Sequence, residues 1–154
     1  MKRVVLDASI TVGSCVGEKE AAELADAVLE MLHAGSAVVP GIRLGEVANA
    51  LVSKERTGKH EHRLEPEEVR TFLAFVGRLP VVVDWTTQHV AFGAVTDLAR
   101  KTGLTVYDAL YLELAQRLGL PLGSFDEALC AAARNAGVVI LTKDFLAAWK
   151  ERDT

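Results

Sequence analysis

What most narrows the fold of this chain is a set of short apolar runs without polar alternation, separated by segments of helical period. Val4-Val5-Leu6, Ala37-Val38-Val39, Val81-Val82-Val83, the small run Leu120 to Phe125, and Val138 to Leu141 are each too short for a helix. A strand with one wet face would show a polar residue at every second position, so unbroken apolar runs belong to strands covered on both faces. Between them, Ala22, Leu24, Ala25, Val28, Leu29 and Leu32 recur at helical spacing from Lys19 until Gly35 stops the pattern. Ala8 to Gly17, with two glycines, predicts a weak first helix. Ile42 to Arg56 reads as another. Glu65-Pro-Glu-Glu opens a helix to about Gly77, since proline suits the first turn and acids favour the positive helix end. Thr86 to Lys101, capped by Asp84, a helix from about Thr105, Glu127 to Ala136, and an amphipathic tail around Phe145 and Trp149 complete the set. Such alternation predicts an α/β fold with a mainly parallel sheet and helices on both faces.

At 154 residues the chain reads as one domain, long enough to bury roughly 70% of its unfolded surface. Cys15 and Cys130 are isolated, which argues against a disulfide framework or a zinc site and points to a reducing cytoplasm. No signal-length or membrane-length apolar stretch is present. A net charge of −4 gives no overall field that would draw nucleic acid or an anionic membrane.

Ligands of parallel sheets sit outside the carboxyl ends of the strands, where strand order reverses. Asp7 ends the first strand, Glu46 lies one turn inside the second helix unit, Asp108 opens an apolar helix, and Asp126 follows Leu120 to Phe125. Taken singly, Asp7 and Asp126 suit helix N-caps, and Thr105-Val-Tyr-Asp108 resembles a capping box. Glu46 borders an apolar helix face, where an ion pair with Arg43 is the plain structural explanation. Taken together, four acids at one sheet edge repel one another unless something positive sits among them. A hard divalent cation satisfies them without histidine or cysteine.

The segments Val-Val-Leu-Asp7-Ala-Ser, Gly-Glu46-Val-Ala-Asn-Ala-Leu, Leu-Thr-Val-Tyr-Asp108-Ala-Leu-Tyr-Leu-Glu-Leu-Ala and Gly-Leu-Pro-Leu-Gly-Ser-Phe-Asp126, in this order, make the chain resemble PIN-domain proteins of the VapC toxin type over nearly its whole length. The resemblance implies a three-layer α/β/α fold and a Mg2+- or Mn2+-dependent endoribonuclease. It also implies the toxin half of a toxin–antitoxin pair, usually a homodimer inhibited by a small VapB-like partner. Asp7, Glu46 and Asp108 match the family's principal acids and Asp126 its fourth, with Ser9, Asn49 and Ser124 as polar companions. The chain departs from the pattern in Ile10 to Gly17, which lacks bulky residues, and in the phenylalanine of Ser-Phe-Asp.

On this reading Asp7 and Asp108 hold the ion, and Glu46 and Asp126 act through waters or complete a second site. Water attacks phosphorus and leaves a 5′-phosphate, with single-stranded or looped RNA as substrate. Arg43, Lys54, Arg56 and Lys59 are the candidate phosphate contacts, and His60 and His62 read as surface residues. An aspartyl-nucleophile phosphatase needs an acid where Ser9 stands, and a phosphate-cradling glycine loop is missing after the first strand. An RNA-processing nuclease without antitoxin, or a non-catalytic PIN-like RNA- or protein-binding module, are the other readings.

Overall fold

The computed structural model describes residues 2–17, 19–33, 35–57 and 63–151. The chain runs β1 (Lys2–Leu6), α1 (Ala8–Val16), α2 (Lys19–Met31), β2 (Gly35–Pro40), α3 (Arg43–Thr57), α4 (Pro66–Val76) and β3 (Val81–Asp84). It continues through α5 (Gln88–Val90), a π-helical turn over Ala91–Val95, α6 (Thr96–Thr102), α7 (Val106–Leu118), β4 (Leu122–Gly123), α8 (Glu127–Asn135) and α9 (Lys143–Glu151). The four strands are all parallel, in the order β3-β2-β1-β4.

Both faces of the sheet are dry over β1 and β2, which is why their sequences show no polar alternation, but the edge strand β3, also expected to be covered on both faces, leaves Val82 52% exposed. Val4, Leu6, Ala37 and Val39 pack with Ile10 of α1, Ala25, Val28 and Leu29 of α2, and Leu146 of α9. Their neighbours Val5 and Val38 enter the opposite layer, with Ala99 of α6, Leu112 of α7 and Leu129 of α8. Successive strand residues thus serve two cores, and helices flank the sheet on both sides. A third, smaller cluster joins Ala8 to Val47 and Leu51 of α3 and Val69 of α4.

The structure corrects three details of the sequence reading. Val138 to Leu141 is not a strand but a single parallel bridge between Ile140 and Leu122, because β4 is only two residues long and Val138 is drawn into closing α8 through its N–H to the Ala133 carbonyl. The helix expected from Thr86 starts at Gln88, and its cap is Thr87, not Asp84. Thr96 explains the π turn in the middle of that segment. Its hydroxyl donates to the carbonyls of Phe92 and Gly93, a side-chain insertion that disturbs the normal ladder. No described helix is long and apolar enough to cross a membrane.

Candidate active site

Chain order and space part company between β1 and β4. β2 and β3 add successively to one side of β1, and β4 then returns to the other. Ligands of parallel sheets bind outside the carboxyl edge at such a switch point, and here Asp7 follows β1 while Ser124 to Asp126 follow β4. The Asp7 N–H donates to the Gly123 carbonyl and locks the two strand ends together.

Each of the four acids is held by one oxygen and presents the other. Asp7 occupies the N-cap position of α1 but makes no capping bond, so the cap explanation fails for it. Instead its Oδ2 accepts from the Ser9 hydroxyl at 2.6 Å and the Ser124 hydroxyl at 2.7 Å, and the side chain is only 7% exposed. Asp126 does cap α8, its Oδ1 accepting from the Leu129 N–H at 2.7 Å. Asp108 accepts at Oδ2 from the Thr105 hydroxyl at 2.7 Å, while Thr105 caps α7 by accepting from the Asp108 N–H. Glu46 accepts at Oε2 from the Tyr111 hydroxyl at 2.5 Å. The second oxygens, Asp7 Oδ1, Glu46 Oε1, Asp108 Oδ1 and Asp126 Oδ2, have no hydrogen-bond donor among the described residues.

The companion residues brace this arrangement. Ser9 accepts from the Phe125 N–H and Ser124 from the Asp126 N–H, so the two hydroxyls that hold Asp7 also shape the loop carrying Asp126. The buried thiol of Cys130 donates to the Ser124 carbonyl. Asn49 lies exposed one turn beyond Glu46.

The carboxylates feel one another. Burial, with the charges of Asp7 and Asp108, pushes Glu46 above its ordinary value, while the Tyr111 hydrogen bond and Arg43 pull the other way. Burial and the charges of Asp126 and Asp7 likewise push Asp108 up against the pull of Thr105. Asp7, Glu46, Asp108 and Asp126 are thus one electrostatic unit. Among the described residues, no three His, Cys, Asp or Glu side chains close into a ready-made metal cage. The donor set nevertheless fits a hard divalent cation. It is all oxygen, and magnesium needs only one or two carboxylates, keeping waters for its other positions.

Of the basic residues expected along an RNA path, Arg43 takes another place. Arg43 is 1% exposed and donates to the Thr11 hydroxyl, so it neither pairs with Glu46 nor reaches a phosphate at the surface. Its guanidinium lies within the field of Tyr111, Asp7 and Glu46, while burial lowers its affinity for the proton. It supplies buried positive charge beneath the acids. Lys54 and Arg56 are exposed in the last turn of α3, about 12–15 Å along the helix from Glu46 at 1.5 Å per residue. Lys59, His60 and His62 fall outside the described residues.

Tyr111 is the site residue that sequence reasoning missed. It is fully buried, and its hydroxyl is spent on Glu46. The available signal was its position, one helical turn after Asp108 on the same helix. Burial and Glu46 push its phenol above the usual range, so at neutral pH it keeps the proton that it donates to Glu46.

A sequence profile described as PIN domain matches residues 4–135, a span that holds all four carboxylates. No curated protein matches the chain significantly. Among solved structures, the fold is similar to that in the crystal structure of PAE2754 from Pyrobaculum aerophilum, with TM-score 0.63 and 20% identity over 96% of this chain and 93% of that one. It is also similar to that in the crystal structure of FitAcB from Neisseria gonorrhoeae, with TM-score 0.57 and 13% identity over 90% of this chain and 96% of that one. At such identities the likeness is one of fold. The profile, its span across the acids, and the parallel sheet that gathers them at one edge agree: this chain belongs to the PIN-domain family.

Proposed function

We propose that this chain is a Mg2+- or Mn2+-dependent endoribonuclease and the toxin half of a VapBC-type pair, acting as a cytoplasmic homodimer on single-stranded or looped RNA under control of a small VapB-like partner. PIN domains are generally nucleases. The observation that carries the reading is the set of four carboxylates at the switch point, each fixed through one oxygen and offering the other.

Asp7 and Asp108 would hold the cation directly, with Glu46 and Asp126 acting through water or completing a second site. When bound, the ion supplies the positive charge that makes a water acidic at neutral pH and offsets charge gathering on the phosphate. The protein's own part is positional. Ser9 and Ser124 fix Asp7, Thr105 fixes Asp108, Tyr111 fixes Glu46, and the first turn of α8 fixes Asp126. Each carboxylate can then accept a proton or a water hydrogen bond without rearranging.

Incubation of the purified chain with labelled single-stranded RNA tests this. Cleavage should require Mg2+ or Mn2+, stop in EDTA, and leave 5′-phosphate ends. Asp7→Asn and Asp108→Asn should each lower the rate on the order of 100-fold or more with circular dichroism unchanged. Undiminished cleavage in EDTA would refute the mechanism. Co-purification of the chain with the product of an adjacent small gene, and loss of cleavage in that complex, tests the antitoxin part separately.

A further inference from the structure

Trp85 is 75% exposed, yet its ring has a defined seat. A Cβ on Gly41 would stand 2.7 Å from its Cζ3 and 2.8 Å from its Cε3, so the indole rests where a side chain at position 41 would be. The two residues meet at the carboxyl edge of the sheet, since Pro40 at the end of β2 pairs in register with Asp84 at the end of β3. Asp84 is itself held by Arg117 of α7 at 2.8 Å, which ties the base of the indole to the helix that carries Asp108 and Tyr111. This is the edge of the acids. Asp7 ends β1 two strands away, about 10 Å along the edge at the usual strand spacing, and α3, with Glu46 in its first turn, begins two residues after Gly41.

We propose that Trp85 on its Gly41 seat is a stacking subsite for one base of a single-stranded nucleic acid whose backbone passes the carboxylates, an inference that rests on the nuclease reading above. In a chain of net charge −4, with Arg43 buried beneath the four acids and the exposed Lys54 and Arg56 about 12–15 Å away along α3, charge holds a polyanion only weakly beside the acids. The chain needs contacts that charge repulsion and salt do not cancel, and base–indole stacking is one that tolerates any sequence. A splayed single strand offers unpaired bases for this, whereas a duplex does not.

Fluorescence anisotropy with labelled oligoadenylate, in the Asp108→Asn background with Mg2+ so that the strand is bound and not cut, tests the subsite. Trp85→Ala should weaken binding roughly 5- to 30-fold, and Trp85→Phe should restore most of it. Gly41→Ala should weaken binding in the same direction by displacing the ring. An abasic strand of equal length should lose nothing on any of these changes. In the cleavage-competent chain, Trp85→Ala should raise KM and leave kcat unchanged. Unaltered affinity in both Trp85→Ala and Gly41→Ala, with the strand still bound, overturns the subsite and leaves the nuclease reading standing. No oligoadenylate binding with Trp85 intact overturns both. Conversion of a dimer to a monomer by Trp85→Ala, seen by light scattering, assigns the indole to a second copy of the chain and overturns the proposal.

Discussion

Tyr111 and Glu46 are 65 residues apart and joined by one hydrogen bond, and that bond makes α7 responsible for two of the four acids. The helix carries Asp108 directly and positions Glu46 through the phenol. Tyr111→Phe keeps the buried ring and deletes only the donor. It is expected to cost about 1–2 kcal/mol in urea denaturation and to lower kcat roughly 10-fold while RNA affinity stays unchanged. Equal kcat for Tyr111→Phe and the parent chain would show that Glu46 is held by something else. The same bond explains why Glu46 tolerates its half-buried place without the ion pair that its sequence context suggested. The nearby guanidinium of Arg43 is committed to Thr11, and its buried Nε has no partner among the described residues.

Among the elements, α1 and the loop after β4 are fitted to each other. A Cβ on Gly13 would stand 2.7 Å from Phe125 Cε2, so the ring beside Asp126 occupies space that a bulkier α1 would fill. The two departures from the family pattern, the small residues of Ile10 to Gly17 and the phenylalanine of Ser-Phe-Asp, are therefore one packing solution. Gly13→Ala alone should destabilise by about 1–2 kcal/mol, because overpacking against the ring outweighs the gain in helix propensity. In a Phe125→Ala background the same substitution should stabilise by up to about 1 kcal/mol, with the change of sign measured by a double-mutant cycle in urea. Costs that simply add would mean that α1 and the Asp126 loop are independent. Gly123 makes a comparable close approach in β4, where a Cβ would come within 2.8 Å of Leu6 Cδ2 and 3.0 Å of Leu141 Cδ1. A side chain there would part β4 from its neighbours.

Over the whole molecule, the acid edge should cost stability in the absence of a cation. Glu46 and Asp108 are both pushed above their ordinary values, first by burial and then by their carboxylate neighbours. The native state therefore holds their protons more tightly than the unfolded chain does. Stability is gained as pH falls from neutral toward the ordinary carboxylate range and is lost as pH rises through the raised values. In EDTA, the urea midpoint of the parent chain should thus rise as pH falls from neutral toward the ordinary carboxylate range, and by more than that of Asp108→Asn, which lacks one of the two groups. At neutral pH in EDTA, Asp108→Asn should melt about 1–3 °C higher than the parent, a small gain because solvent screens a half-exposed carboxylate. Adding Mg2+ should reverse that order by stabilising only the chain with its acids intact. An Asp108→Asn protein that melts lower than the parent in EDTA would contradict the electrostatic account.

The sequence by itself determined the α/β class, the parallel sheet and its helical layers, because runs such as Val4-Val5-Leu6 and Ala37-Val38-Val39 are fully apolar and belong between two covered faces, while only packing left Val82 and Val139 half exposed. It also marked the four acids, since Asp7 directly follows a strand, Asp126 closes the apolar run Leu120 to Phe125, Asp108 opens a helix and Glu46 borders an apolar helix face. What it left open depended on contacts between residues far apart in the chain. Whether Asp7 was a cap or a member of the cluster turned on Ser124, 117 residues away. The role of Tyr111 turned on where α3 packs, and the burial of Arg43 on Thr11 of a different helix. The strand expected at Val138 to Leu141 shrank to one bridge because its partner among the described residues, β4, is two residues long, a length that no periodicity in residues 138–141 records. Local pattern fixes which groups are dry, while only packing decides which polar groups meet there.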